Sequence, residues 1–299
     1  MGKSKQSVVA VFICLCLAAA IAAVPVTVRG SDLPAVRKAG VLRHLGVPYA
    51  NFVTGSGDGM DVELIREFAR YLGVRYEYVK TDWGTVVGDL TGKEVQVKGA
   101  EVTTEREVPV KGDLVANGFT VLPWRQKVVA FSHPTFPSQI WLIARADSTV
   151  KPIRPSGSVD LDIRTARSEL RGRKVLALEK TCLAPDLYHL SATGAHVVCF
   201  TGSLNELAPA VINGEAEMTI LDVPDALIAL RKWPGKIKVI GPVSRQQEMA
   251  VAFSPDAPQL LRAFNGFLEK SFRDGSYMAI VRKYYPTATG YFPEFFEGK

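Results

Sequence analysis

Apolar positions recur along this chain with two periods, and the periods place the elements. Val62, Ile65, Phe68, Ala69 and Leu72 stand at helical spacing and Gly73 follows where a helix stops, so a helix is predicted there. Strands are predicted on either side of it, over 41–45 and over the alternating stretch 75–79. Between Gly92 and Gly112, Val95, Val97, Val102, Val108 and Val110 lie among charged neighbours, with VQVKG echoed by VPVKG, and this reads as a surface β-hairpin. A strand over 140–144 and a linker with Pro152, Pro155 and Gly157 follow, then a short polar helix near 160–170. From Lys174 the order is regular. Strands over 175–178, 196–200, 218–221 and 237–240 alternate with helices over 185–190, 204–212 and 223–230, which implies a parallel α/β layer. Ser203 and Glu206 form a capping-box pattern, Gly214 closes that helix, and two helices near 257–273 and 276–284 end the pattern.

The stretch from Gly112 to Phe136 organises the rest. It begins as an apolar strand (Leu114, Val115, Ala116), opens at Asn117-Gly118, passes Thr120 and Pro123, and reaches Arg125 before a second apolar strand over 128–131. Asn-Gly and Pro break regular structure, so 120–125 is a loop at a strand's end. Ligands of open α/β sheets bind at the carboxyl ends of strands, where a guanidinium fork suits a carboxylate. Arg125 is therefore the first candidate contact, although an arginine in a loop is more often solvated.

Composition narrows the class. At 299 residues the chain has room for one large or two modest domains, and 47% hydrophobic with 22% charged residues is ordinary for a globular protein. The net charge of +6 falls to +3 without Lys3, Lys5 and Arg29, too weak and dispersed for a nucleic-acid surface. Lys3 and Lys5 precede an unbroken apolar run from Val8 to Val26, which reads as a secretory signal within residues 1–30, with an uncleaved anchor as the alternative. Cys14 and Cys16 in that run have no small residue directly before them, which argues against a lipoprotein site. In an exported chain the remaining pair, Cys182 and Cys199, is a disulfide candidate. The histidines, His44, His133, His189 and His196, show no ligand spacing, and neither a metal nor another cofactor is expected.

The central stretch resembles the signature of the family 3 solute-binding proteins, the polar amino-acid receptors of ABC transporters. Asp113, Gly118, Thr120, Arg125, Phe131 and Ser132 fall in its register, while Leu122 stands where a second hydroxyl is frequent. Gly59, Asp61, Glu63 and Leu64 resemble the family's first helix entry, with Asp61 capping and orienting that helix. Asp82 and Trp83 with Val86, Val87 and Leu90 resemble its next segment. Phe267, Asp274, Gly275, Ser276, Tyr277, Ile280, Lys283, Tyr284 and Tyr285 resemble its ending, so the resemblance spans nearly all of the exported part.

The resemblance implies an α/β fold of the two-lobed type II periplasmic binding protein, or Venus-flytrap, kind with two crossover strands. Residues 31–138 and 247–299 would form the first lobe, carrying an insertion at about 93–111, and 139–246 the second. It further implies a periplasmic receptor, monomeric, that captures an amino acid or related carboxylate for an ABC transporter permease or a sensor protein, with no nucleic-acid partner. No kinase, cyclase or transglycosylase domain is expected after the tail motif, which ends close to Lys299.

By the same resemblance Arg125, Thr120 and Gly118 meet the ligand's carboxylate from the first lobe and Thr181 meets it from the second, although Lys180 and Cys182 flank Thr181 where a glycine and a small residue are usual. Asp222 would take the ammonium and equally suits an N-cap for the helix after it. Trp83 lines the cleft or belongs to the core, and Tyr49 stands near the position of a stacking aromatic. Arg43 and Lys180 would present two cations to the ligand's side chain, which points to a dicarboxylic amino acid, unless both face solvent. Two other readings remain open. One is a cyclohexadienyl dehydratase-like enzyme with Glu179 or Glu217 as its acid, and the other is a sensory or protein-docking module that uses the insertion.

Overall fold

A computed structural model describes residues 31–98 and 101–297. The predicted signal run with Cys14 and Cys16 lies outside the described residues. In chain order the elements are α1 (Leu33–Ala39), β1 (Val41–Gly46), α2 (Met60–Leu72), β2 (Arg75–Lys80), α3 (Val86–Thr91), β3 (Lys93–Lys98), β4 (Glu101–Glu107), β5 (Leu114–Val115), β6 (Ala130–Phe131), β7 (Phe136–Ser138) and β8 (Ile140–Arg145). They continue as α4 (Val159–Ser168), β9 (Lys174–Ala177), β10 (His196–Cys199), α5 (Leu207–Ile212), β11 (Met218–Asp222), α6 (Val223–Lys232), β12 (Ile237–Pro242), β13 (Gln247–Met249) and β14 (Ala252–Phe253). Helices α7 (Pro258–Arg273), α8 (Ser276–Tyr284), α9 (Ala288–Tyr291) and α10 (Pro293–Glu297) complete the order.

The strands form two five-stranded sheets, ordered β2-β1-β5-β14-β6 and β10-β9-β11-β8-β12. Strands β7 and β13 pair antiparallel between them, so the chain passes from the first sheet to the second and back along adjacent paths. The fold is thus the two-lobed binding-protein architecture with two crossovers. The second sheet corrects one expectation: β9, β10 and β11 are parallel, but β8 runs antiparallel to both β11 and β12. Its cause is the crossover, since β8 enters the lobe from the hinge side and must run away from the cleft.

Helix α2 shows how the pattern positions a lobe. Leu64, Ile65 and Phe68 are fully buried, and Phe68 meets Phe264 of α7 edge-on at 5.1 Å. Each such side chain contributes about 1.5–3 kcal/mol on burial. Gly73 caps the helix in the left-handed region at φ 73°, which releases the chain into β2. The insertion is the expected hairpin, β3 paired with β4, and Val95, Val97 and Val102 lay one face of it on the apolar cluster of Val86, Val87 and Leu90. The helix expected over 185–190 is instead a pair of short 3-10 turns broken at His189, whose φ is 48°. Among the described residues no helix is long and apolar enough to cross a membrane.

Candidate functional site

The carboxyl ends of five strands converge on one place. β1 runs into the loop carrying Tyr49, β2 into Trp83, and β5 into the segment Ala116 to Arg125. From the other lobe, β9 leads to Thr181 and Cys182, and β11 ends at Asp222. Tyr49, Thr120, Arg125, Thr181, Cys182 and Asp222 are all buried.

Arg125 is the unusual member. Only 1% of it is exposed, and its guanidinium lies 3.9 Å over the Phe119 ring with the Trp124 and Trp83 rings at 5.3 and 5.8 Å. Its Nη1 donates to the Thr120 carbonyl at 2.9 Å, its Nε has no partner, and no carboxylate pairs with it among the described residues. Burial pushes its pKa down to about 10, which leaves it cationic at neutral pH. The aromatic faces offset part of the desolvation, but a buried cation without an anion remains costly. In the same loop, both polar atoms of the Asn117 side chain and the Thr120 hydroxyl lack hydrogen-bond partners among the described residues.

Gly118 fixes this loop. Its φ is 64°, a Cβ there would fall 2.5 Å from the Phe52 ring, and its amide donates to Asp61 Oδ2 at 2.7 Å. Asp61 therefore orients the binding loop from the first turn of α2 rather than capping that helix, whose N-cap is Gly59.

Asp222 faces the site from the second lobe. It caps α6, taking the Asp225 amide on Oδ1 at 3.2 Å, and it also accepts from the Tyr49 hydroxyl and from the Cys182 thiol at 3.6 Å. Burial raises its pKa to about 6, held from rising further by the Tyr49 hydroxyl. One residue is thus both cap and site carboxylate. Cys182 stands between the opposite charges. Burial first and Asp222 next push its pKa well up, so it remains a thiol.

Other expectations are corrected. Arg43 is not in the cleft: its guanidinium holds Asp113, just ahead of β5, through Nη2 at 2.6 Å and Nε at 3.2 Å. Lys180 is exposed and adopts φ 61°, the left-handed geometry that a glycine takes without strain. The two cations invoked for a dicarboxylic side chain are therefore not gathered in the cleft. The Thr181 hydroxyl is spent on its own turn, donating to the Leu178 carbonyl at 2.8 Å and accepting from the Leu183 amide at 3.0 Å. Among the described residues Cys182 and Cys199 are not bridged, because Cys199 sits exposed opposite Ala177 on the edge strand while Cys182 belongs to the turn five residues on. Of the acids weighed for an enzyme, Glu217 pairs with Arg173 at 2.8 Å ahead of β11, and Glu179 is exposed and accepts from the Cys199 thiol. The sequence reading missed Asn117 and Cys182, whose only signal was position: one precedes Gly118 and the other replaces a small residue.

Comparisons with known proteins agree with the two-lobed fold. The sequence pattern of the bacterial extracellular solute-binding proteins, family 3, matches residues 46–111 and 108–287. A probable amino-acid ABC transporter-binding protein of Haemophilus influenzae is 24% identical over 225 residues, covering 75% of this chain and 74% of that protein. Membrane-bound lytic murein transglycosylase F of Pseudomonas putida (strain GB-1) is 25% identical over 262 residues, 86% of this chain, which spans about half (48%) of that relative's length. A mutant of ArgBP from T. maritima superposes with a TM-score of 0.67 at 23% identity, covering 85% of this chain and 99% of that one. The chain belongs to the bacterial extracellular solute-binding proteins, family 3.

Proposed function

We propose that this protein is a periplasmic receptor that captures an amino acid or a related small carboxylate between its lobes and presents it to an ABC transporter. The observation that carries the reading is the pair Arg125 and Asp222: among the described residues, a buried guanidinium with no anion on one lobe and a buried carboxylate with no cation on the other. A zwitterion would satisfy both at once, its carboxylate on Arg125 and Thr120 and its ammonium on Asp222, with Trp83 and Tyr49 enclosing it. Bridging both lobes, such a ligand binds the closed form better than the open one and shifts the hinge towards closure. A permease would read the closed form. The first thirty residues would export the chain, and residues 31–138 with 247–299 would move against 139–246.

A thermal-shift screen against the common amino acids and small carboxylates tests this, because a ligand raises apparent stability as RT ln(1 + [L]/Kd). At least one α-amino acid raises Tm in the wild type and fails to do so in Arg125→Ala and Asp222→Ala. A uniform absence of shift, or a shift kept in both variants, refutes the reading.

A further inference from the structure

A cavity of about 440 Å³ lies between the loop after β1 and helix α6, apart from the Arg125 site. Its walls come from both lobes: Ala50, Asn51 and Thr54 on one side, Asn205 and the α6 residues Asp225 to Lys232 on the other. Neither Arg125 nor Asp222 reaches it.

Asp225 is the feature that calls for a ligand. It is 6% exposed, lines this cavity, and its carboxylate has no hydrogen-bond or ionic partner among the described residues. Burial, and then its neighbour Asp222, pushes its pKa well up, with no cation among the described residues to offset either effect. An acid in a helix's first turn is favourable to the helix dipole, but an exposed side chain secures that benefit without desolvation. At the rim, Arg231 and Lys232 are exposed and line the same cavity, with Lys232 seated 4.7 Å over the Trp233 ring. Ala50, a non-glycine residue at φ 44°, donates its amide to Asn205 Oδ1 across the lobes at 3.0 Å, so the chain accepts local strain where it closes this wall.

We propose that this cavity is a second binding site for a small zwitterion, its ammonium on Asp225 and its anionic group towards Arg231 and Lys232. Because both lobes line it, an occupant favours the closed arrangement independently of the first site. The proposal does not depend on the Arg125 site being functional.

The test is an amide-resolved NMR titration of the 15N-labelled chain with each common amino acid and with ethylammonium, which carries the cation alone. Wild type, Arg125→Met and Asp225→Asn are compared. Arg125→Met keeps the packing against Phe119, Asp225→Asn keeps the shape, and Thr120→Val replaces the former should it not fold. For at least one amino acid, amides of Asn51, Asn205 and residues 228–233 shift saturably in the wild type and in Arg125→Met alike, and Asp225→Asn weakens that binding about tenfold or more. The proposal is overturned by the absence of saturable shifts there, by shifts that Asp225→Asn leaves unchanged, or by shifts that vanish in Arg125→Met and so merely report closure at the first site. Ethylammonium binding as tightly as the amino acid would overturn the zwitterion. Loss of shifts around Asn117 to Arg125 alone would refute the first site and leave this one standing.

Discussion

Across the cleft, the Tyr49 hydroxyl of the first lobe donates a hydrogen bond to the Asp222 carboxylate of the second. The bond satisfies part of a buried carboxylate and links the two lobes directly. Hydrogen bonds to charged groups are worth about 1.5–3 kcal/mol.

Tyr49→Phe removes only this donor. The unliganded protein is expected to open further, read as an increase in radius of gyration by small-angle X-ray scattering. In the fraction that stays closed, where Asp222 remains buried, loss of the Tyr49 hydroxyl moves the Asp222 carboxyl further up, whereas opening exposes it and moves it down. An unchanged scattering profile would show that the bond does not hold the lobes.

Lys180 carries a separate prediction about strain. It is exposed and left-handed, so Lys180→Gly gives up little contact and relieves about 1–2 kcal/mol of backbone strain, against about 0.5–1 kcal/mol of extra chain entropy in the unfolded state. A small rise in Tm is expected, with ligand affinity unchanged. A marked loss of affinity would return Lys180 to the site.

Much of the architecture was legible because its signals are local. The spacing of Val62 to Leu72, the stop at Gly73 and the Ser203 and Glu206 capping box each act within a few residues, and the structure has all three. The motifs also pointed to Arg125 and Asp222, which the fold buries at the ends of strands from the two lobes. What failed depended on distance through the fold. Arg43 was assigned to ligand because its partner Asp113 lies 70 residues away in sequence. The cysteines remained a disulfide candidate because separation along the chain does not say that one sits on an exposed strand and the other in the cleft. The antiparallel run of β8 is set by the hinge, which leaves no mark on the strand's own apolar pattern.

Buried Asp61 sets a dependence on pH. Burial raises its pKa from 3.8 to about 7, the Gly118 amide pulling the other way. The folded chain therefore holds this proton longer than the unfolded one, so the contribution to stability is fully present below about pH 4 and is lost as pH rises through about 7. Asp61→Asn can still accept from Gly118 and removes the titration. The Tm of the wild type minus that of Asp61→Asn should fall as pH rises from about 4 to 7. His44, whose burial lowers its pKa to about 4, works in the opposite direction but equally in both proteins, and cancels. A pH-independent difference would contradict the burial of an unpaired carboxylate here.

The central claim is that Arg125 and Asp222 hold the two ends of one ligand. Isothermal titration tests it most directly, using the amino acid found by screening, its amine analogue without the carboxylate and its acid analogue without the amino group. The wild type should prefer the intact amino acid to either analogue, and Arg125→Ala should lose about 2–5 kcal/mol of affinity for it. Arg125→Ala should then bind amino acid and amine alike, and Asp222→Asn should bind amino acid and acid alike. If Arg125→Ala still distinguished the amino acid from its amine, the carboxylate would be held elsewhere and the account would be wrong.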